Sequence, residues 1–156
     1  MEIRRARGKD TDKVIYLLQQ VLELHAAIRP DIYISGTTKY TAPELAEIFA
    51  DDMRPVYVAT DEEDAVLGYV FCMIKEPVPS NNIVPYKSVY IDDLCVDDTA
   101  RGKGIGKALF LHAVEEARRL GCRDITLNVW EGNDSAKAFY EQMGMKLQRS
   151  TMEYRL

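Results

Sequence analysis

The run Arg101-Gly102-Lys103-Gly104-Ile105-Gly106-Lys107-Ala108 constrains this chain more than any other segment. The apolar stretch from Val89 to Val96 leads into it, and a helical pattern leaves it. Strand, glycine-rich turn and helix, in that order, make an anion-binding arrangement. Glycines let the backbone approach a phosphate with no Cβ in the way. The first N–H groups of a helix have no internal acceptor, and the helix dipole gives them partial positive charge. Arg101, Lys103 and Lys107 place full charges around the same turn. A plain tight turn is the alternative. The coincidence of glycines and cations in one loop favours the phosphate.

Two common phosphate loops do not fit. A Walker A loop needs G-x-x-x-x-G-K-[ST]. The Gly102 to Gly106 interval is one residue too short for it, and Ala108 stands where a magnesium-binding hydroxyl belongs. A dinucleotide fingerprint needs G-x-G-x-x-G in the first βαβ unit of its domain. The spacing here is G-x-G-x-G, two-thirds of the way along the chain.

The bulk of the sequence narrows the partners. A chain of 156 residues is expected to form one domain with a real core. Its net charge of −5 argues against a nucleic-acid partner. No apolar run is long enough to span a membrane, and Met1 to Arg5 is not followed by a secretory apolar region. Cys72, Cys95 and Cys122 are odd in number and lie in apolar segments, as reduced thiols of a cytoplasmic protein would. The only histidines, His25 and His112, are far apart in sequence, so no metal site is expected.

Periodicity supplies the elements. A short strand opens the chain, and a helix with Val14, Leu17, Leu18, Val21 and Leu22 inward ends near Arg29-Pro30. Thr41-Ala42-Pro43-Glu44 is a capping box for a second helix. Residues 56–59 and 67–74 read as an antiparallel hairpin. A proline-rich loop at 77–85 precedes the strand of residues 87–96. A helix follows from Gly104 to Leu120, then a strand at 124–130 and a last helix capped at Asn133-Asp134-Ser135. Alternation predicts two final strands, near Met145–Arg149 and Met152–Arg155. The expectation is a mixed α/β fold of order β-α-α-β-β-β-α-β-α-β-β. Its mostly antiparallel sheet of about seven strands would be flanked by about four helices.

A family resemblance rests on two segments. Arg101-Gly102-Lys103-Gly104-Ile105-Gly106 fits [QR]-x-x-G-x-[GA]. Asn133-Asp134-Ser135-Ala136-Lys137-Ala138-Phe139-Tyr140, running on to Gly144-Met145, fits N-x-x-A-x-x-[FL]-Y-x-x-x-G-[FM] after a strand. Together the two patterns cover roughly residues 87–147, and this half of the chain resembles the GCN5-related N-acetyltransferases. Residues 1–86 resemble that family in element order alone.

The resemblance implies acetyl transfer from acetyl-CoA to a primary amine by direct attack, with no metal. Acetyl-CoA would lie between the strands of residues 87–96 and 124–130. Main-chain groups at Leu94, Cys95 and Val96 would pair with its pantetheine, and Arg101 to Lys107 would hold its pyrophosphate. Asn128, Asn133, Ala136 and Phe139 match cofactor-contacting positions; helix capping is an equal reading for Asn133. Tyr140 matches the general acid, against the alternative of a core tyrosine. The Val96 N–H is the implied oxyanion donor. Asp92 is the candidate base, since alternation puts it on one face with Tyr90, Leu94 and Val96. A bulge would exchange its role with that of Asp93, and a solvated or ion-paired aspartate is the other reading. Tyr33, Tyr40 and Tyr86 would border the acceptor.

The expected acceptor is a small cationic amine of polyamine, lysine or aminoglycoside type, and a homodimer is a further implication of the resemblance. Peptide or protein acetylation is the alternative. A non-catalytic acyl-CoA-binding domain is the rival from another class, and a nucleotide-binding protein is a third.

Overall fold

The computed structural model describes residues 1–156. Five strands form one sheet in sequence order: β1 (Glu2–Arg5), β2 (Val56–Thr60), β3 (Val66–Lys75), β4 (Ser88–Val96) and β5 (Asp124–Thr126). β1 to β4 pair antiparallel, while β5 joins β4 in parallel. That change of sense requires a crossover, which α3 (Ile105–Arg119) provides.

Alternation along the strands feeds two cores. Val56, Val58, Tyr69 and Phe71 face α1 (Thr11–Ile28) and α2 (Ala42–Ala50), burying Leu17, Leu18, Leu45 and Ile48. Tyr57, Ala59, Val70 and Cys72 face the other way, onto Ile105, Leu109 and Ala113 of α3. Phe139 and Tyr140 of α4 (Asp134–Gln142) pack against that second cluster. Helices therefore cover both faces.

Local chemistry explains the boundaries. The Thr41 hydroxyl accepts the Glu44 N–H at 3.4 Å, and the Glu44 carboxylate accepts the Thr41 N–H at 2.7 Å. This is the capping box read from the sequence. Asp10 occupies the N-cap position of α1, but its side chain makes no cap there. Its carboxylate accepts from the Arg7 N–H and from both terminal nitrogens of Arg4. Arg4 also reaches Asp64 at 2.7 Å, tying β1 to the β2–β3 turn.

The structure departs from the expected seven strands at its C-terminal end. β5 stops at Thr126 because the chain beyond it diverges from β4. Residues 145–156 form no strand, and Leu147, Met152 and Tyr154 are exposed. Alternation marks a segment able to form a strand; pairing also needs an available edge of matching length. The segment is held instead by ion pairs, Glu153 to Arg29 and Arg155 to Asp31.

One close approach fixes the sheet beside the glycine loop. Gly68 of β3 lies opposite Val96, and a Cβ there would sit 2.6 Å from the Cys95 carbonyl oxygen. Backbone cannot yield as a flexible side chain would. Gly68→Ala is expected to cost about 2 kcal/mol, seen as a lower denaturant midpoint at unchanged slope in urea unfolding.

Candidate active site

The parallel pairing of β4 with β5 covers only Ser88, Val89 and Tyr90. Beyond Tyr90 and Thr126 the two strands part, and a cleft of about 890 Å³ opens between them. Its walls come from β4, the 101–107 loop, the start of α3, residues 127–130 and α4. The structure brings together Asp92, Leu94, Cys95, Val96, Arg101, Gly102, Gly104, Ile105, Gly106 and Lys107. Asn128, Asn133, Ala136, Phe139 and Tyr140 line the same cleft. Of the sequence-selected residues, Lys103 is exposed on the loop outside this lining, and Tyr40 and Tyr86 also stand outside it.

At the loop end, Gly102 and Gly104 adopt φ of 77° and 76°, the left-handed region that suits glycine. Gly104 is the N-cap of α3, and the first satisfied helical N–H is that of Ala108, which donates to the Gly104 carbonyl. The N–H groups of residues 105–107 are therefore free of the helix ladder. Gly106 faces Phe139 and Val96, 3.5 Å and 3.6 Å from where its Cβ would stand. A larger residue there would press on α4 and β4 together. Arg101 is held only by an exposed ion pair with Asp98, worth little in water.

Along β4, ladder alternation sorts the main-chain groups. The Asp97 N–H donates to the Leu67 carbonyl of the β3 side. Two residues back, Cys95 turns its main chain the same way, so Leu94 and Val96 turn theirs to the open edge. Consistent with this, the Val96 carbonyl accepts from Gln20 Nε2 at 3.1 Å rather than from β3. Cys95 was selected together with its neighbours, but its thiol is buried beside the Leu17 carbonyl. Burial pushes that thiol up to about 12, which leaves it inert at neutral pH.

The deep end of the cleft is set by a bulge. Phe71 pairs with Asp93 and Cys72 with Ile91, so Asp92 is an extra residue in β4. Simple alternation would put Asp93 on the face opposite Asp92. The bulge instead lets both carboxylates face the α1–α2 side. Asp92 accepts from Tyr40 Oη at 3.0 Å and pairs with Lys39 Nζ at 2.8 Å. Asp93 accepts from Tyr69 Oη at 2.8 Å.

Their settings differ. Asp93 keeps some accessible surface but is crowded by protein, as a group on a cleft floor is. Burial pushes its carboxyl up to about 6, against the lowering effect of the Tyr69 hydrogen bond and the Lys39 charge. Tyr140 is raised well above the ordinary phenol value, by burial first and by the charge of Asp93 second. It therefore remains a protonated donor throughout the neutral range.

Aromatic rings line the outer part. Trp130 Nε1 donates to Tyr33 Oη at 2.8 Å, and Asn128 Nδ2 to Tyr90 Oη at 3.3 Å. His25 lies 5.1 Å from Tyr33, its pKa lowered by burial and the nearby Lys39 charge. Tyr86 sits apart from the cleft under Arg123. Asn133 serves as a helix cap, its side chain accepting from the Ala136 N–H at 3.4 Å. Lys39 and Tyr69 carried no signal in the sequence: a loop lysine and a strand tyrosine gain meaning only from what they touch.

Comparison with known proteins places this arrangement. Residues 18–145 match the model of the acetyltransferase (GNAT) family. The peptidyl-lysine N-acetyltransferase YjaB of Salmonella typhimurium is 28% identical over 147 residues, covering 94% of this chain and 84% of its own. A mutant of the BH1408 protein from Bacillus halodurans superposes with a TM-score of 0.95 at 34% identity, covering 100% of this chain and 99% of its own. An aminoglycoside acetyltransferase from a soil metagenome shares the fold, with a TM-score of 0.71 at 22% identity, covering 99% of this chain and 95% of its own.

The Asp93 carboxyl has a measurable consequence. Its folded value lies above its ordinary one, so the native state holds this proton more tightly than the unfolded chain. Its contribution is therefore most favourable below pH about 4, declines as pH rises toward 6, and is flat above that, a change of at most about 3 kcal/mol. Asp93→Asn is expected to remove this part of the stability–pH curve, read by urea unfolding at stepped pH. A carboxyl titration near 6 should appear in wild-type infrared difference spectra and vanish in the variant.

Proposed function

Since the chain belongs to the acetyltransferase (GNAT) family and is an acetyl-transferring enzyme, we propose that it passes the acetyl group of acetyl-CoA to the primary amine of a cationic acceptor, using Asp93 and Tyr140. The observation that carries this reading is the convergence of three features in one cleft. They are a cationic glycine loop, an open strand edge at Leu94 and Val96, and a carboxylate beside a buried phenol.

Each part meets one demand of the reaction. The loop N–H groups, with Arg101 and Lys107, bind the pyrophosphate. The Leu94 main chain and the remaining lone pair of the Val96 carbonyl are offered to the pantetheine amides as they would be to a further strand. The Val96 N–H, turned to the same open edge, donates to the oxyanion that develops on the carbonyl. An amine is nucleophilic only when neutral, so its proton needs an acceptor. Asp93, tuned to about 6, is largely ionised at pH 7 yet far more basic than an ordinary aspartate. Asp92 is already engaged by Tyr40 and Lys39, which suits it to orienting a cation. The proton of Tyr140 is too tightly held for easy complete transfer. Its hydroxyl stabilises the departing thiolate chiefly by hydrogen bonding.

Acidic groups at the floor and aromatic rings at the mouth favour a cationic acceptor. The similarity to a peptidyl-lysine acetyltransferase supports a lysine side chain as one such acceptor. Release of thiol from acetyl-CoA across polyamines, aminoglycosides, amino acids and lysine peptides tests the class. Tyr140→Phe is expected to lower kcat by about a hundredfold with acetyl-CoA affinity unchanged. Arg101→Ala should weaken acetyl-CoA binding about tenfold, by about 1.4 kcal/mol, in calorimetric titration. Unchanged turnover in the first variant would remove Tyr140 from the reaction, and unchanged affinity in the second would remove the phosphate loop.

A further inference from the structure

Lys39 belongs to the connection between α1 and α2, 53 positions before its partner in the sequence, and yet its Nζ lies 2.8 Å from Asp92 Oδ2 inside the cleft. Asp92 stands where β4 and β5 separate, at the end of the cleft away from the phosphate loop. Lys39 is also close enough to Asp93 and His25 for its charge to influence both. Its side chain remains part-exposed while that of Asp92 is mostly covered, so the ammonium reaches inward to the carboxylate. A primary amine of this chain thus occupies the place where a cationic acceptor would dock.

We propose that Lys39 is an internal acceptor: in the absence of another amine, the enzyme acetylates its own Lys39 side chain. This rests on the acetyl-transfer reading of the same cleft. The Lys39 ammonium gives one proton to Asp93, and the neutral Nζ attacks the thioester carbonyl of acetyl-CoA. A C–N bond forms and the C–S bond breaks. One of the two protons left on the nitrogen is lost to solvent, and the coenzyme A thiolate takes a proton to leave as the thiol. The product is an N-acetyl-lysine without charge. The Lys39–Asp92 ion pair is then gone, and Asp92 keeps only the Tyr40 hydroxyl.

Other lysines that pair with carboxylates, such as Lys9 with Asp64 and Lys13 with Asp97, do so outside this cleft. Lys137 and Lys146 lie on the surface outside the cleft, and neither has a carboxylate partner. They serve as internal controls for uncatalysed acetylation.

The test incubates the full-length protein with acetyl-CoA at neutral pH and no added amine, then follows intact mass and maps the modified lysine by tandem mass spectrometry. One acetyl group is expected on Lys39, at a first-order rate independent of protein concentration. Lys39→Arg should remain unmodified, and an added diamine should slow the reaction by competing for Asp92. Asp93→Asn should slow it about a hundredfold. Lys39 modified no faster than Lys137 and Lys146, or equally fast in Asp93→Asn, overturns the proposal. Acetyl-CoA binding and thiol release with an external amine are measured on the same sample. Turnover of an external amine by an enzyme whose Lys39 stays unmodified when no amine is present overturns self-acetylation alone; failure to bind acetyl-CoA overturns both readings.

Discussion

The extra residue that β4 carries at Asp92 sets how the acids and the open main-chain groups of the cleft are arranged. In a regular strand, Asp92 and Asp93 would lie on opposite faces, one under each helical layer. The bulge lets both face the same side and leaves Leu94 and Val96 in the second apolar cluster, in phase with Ile91. It also falls just past the last β4–β5 pair, so the two strands separate where the carboxylates are. Strand parting, open main-chain groups and paired acids are thus consequences of one irregularity. Bulges bend the strand that carries them and increase its local twist. That accounts for a β4 that pairs with β3 along its length but with β5 only at its start.

The surrounding structure holds this irregularity in place. Gly68 allows β3 to pass close beneath Cys95 and Val96, and α3 packs Leu109 against the same point. Asp97, just past the end of β4, is buried and ion-paired with Lys13 of α1. It also caps the turn that leads into the glycine loop, accepting the Thr99 N–H at 2.9 Å. The charge of Lys13 and the Thr99 hydrogen bonds hold its carboxyl down at about 2, so this anchor stays ionised through the neutral range. Tyr69 spans from the first core to Asp93, linking the packing of α1 and α2 to the state of the carboxylate. Stability and function meet in these few residues. Burying Asp93 costs folding free energy, and the same burial makes its carboxylate more basic than an ordinary aspartate.

Much of this was legible in the sequence, for reasons that can be stated residue by residue. The glycine loop was visible because its composition is rare and its context, strand before and helix after, is periodic. The start of α2 followed from its capping box, and α1 and α3 from apolar spacing. The bulge was open only as an alternative that the family resemblance raised, since alternation assumes one residue per step and nothing in Tyr90-Ile91-Asp92-Asp93 marks the extra one. The final strands failed for a related reason. Met145 to Leu156 alternates well, yet the three-residue β5 gives it no edge to extend. The Lys39 contact with Asp92 joins residues far apart in sequence and depends on how a loop folds back, which no local pattern encodes.

The most direct test of this account is a crystal structure with coenzyme A bound. The pyrophosphate is expected at the N–H groups of residues 105–107, and the pantetheine amides on the main chain of Leu94 and Val96. The sulfur is expected between Tyr140 and Asp93. Coenzyme A lying along another surface, or in this cleft with its sulfur away from both side chains, would contradict it.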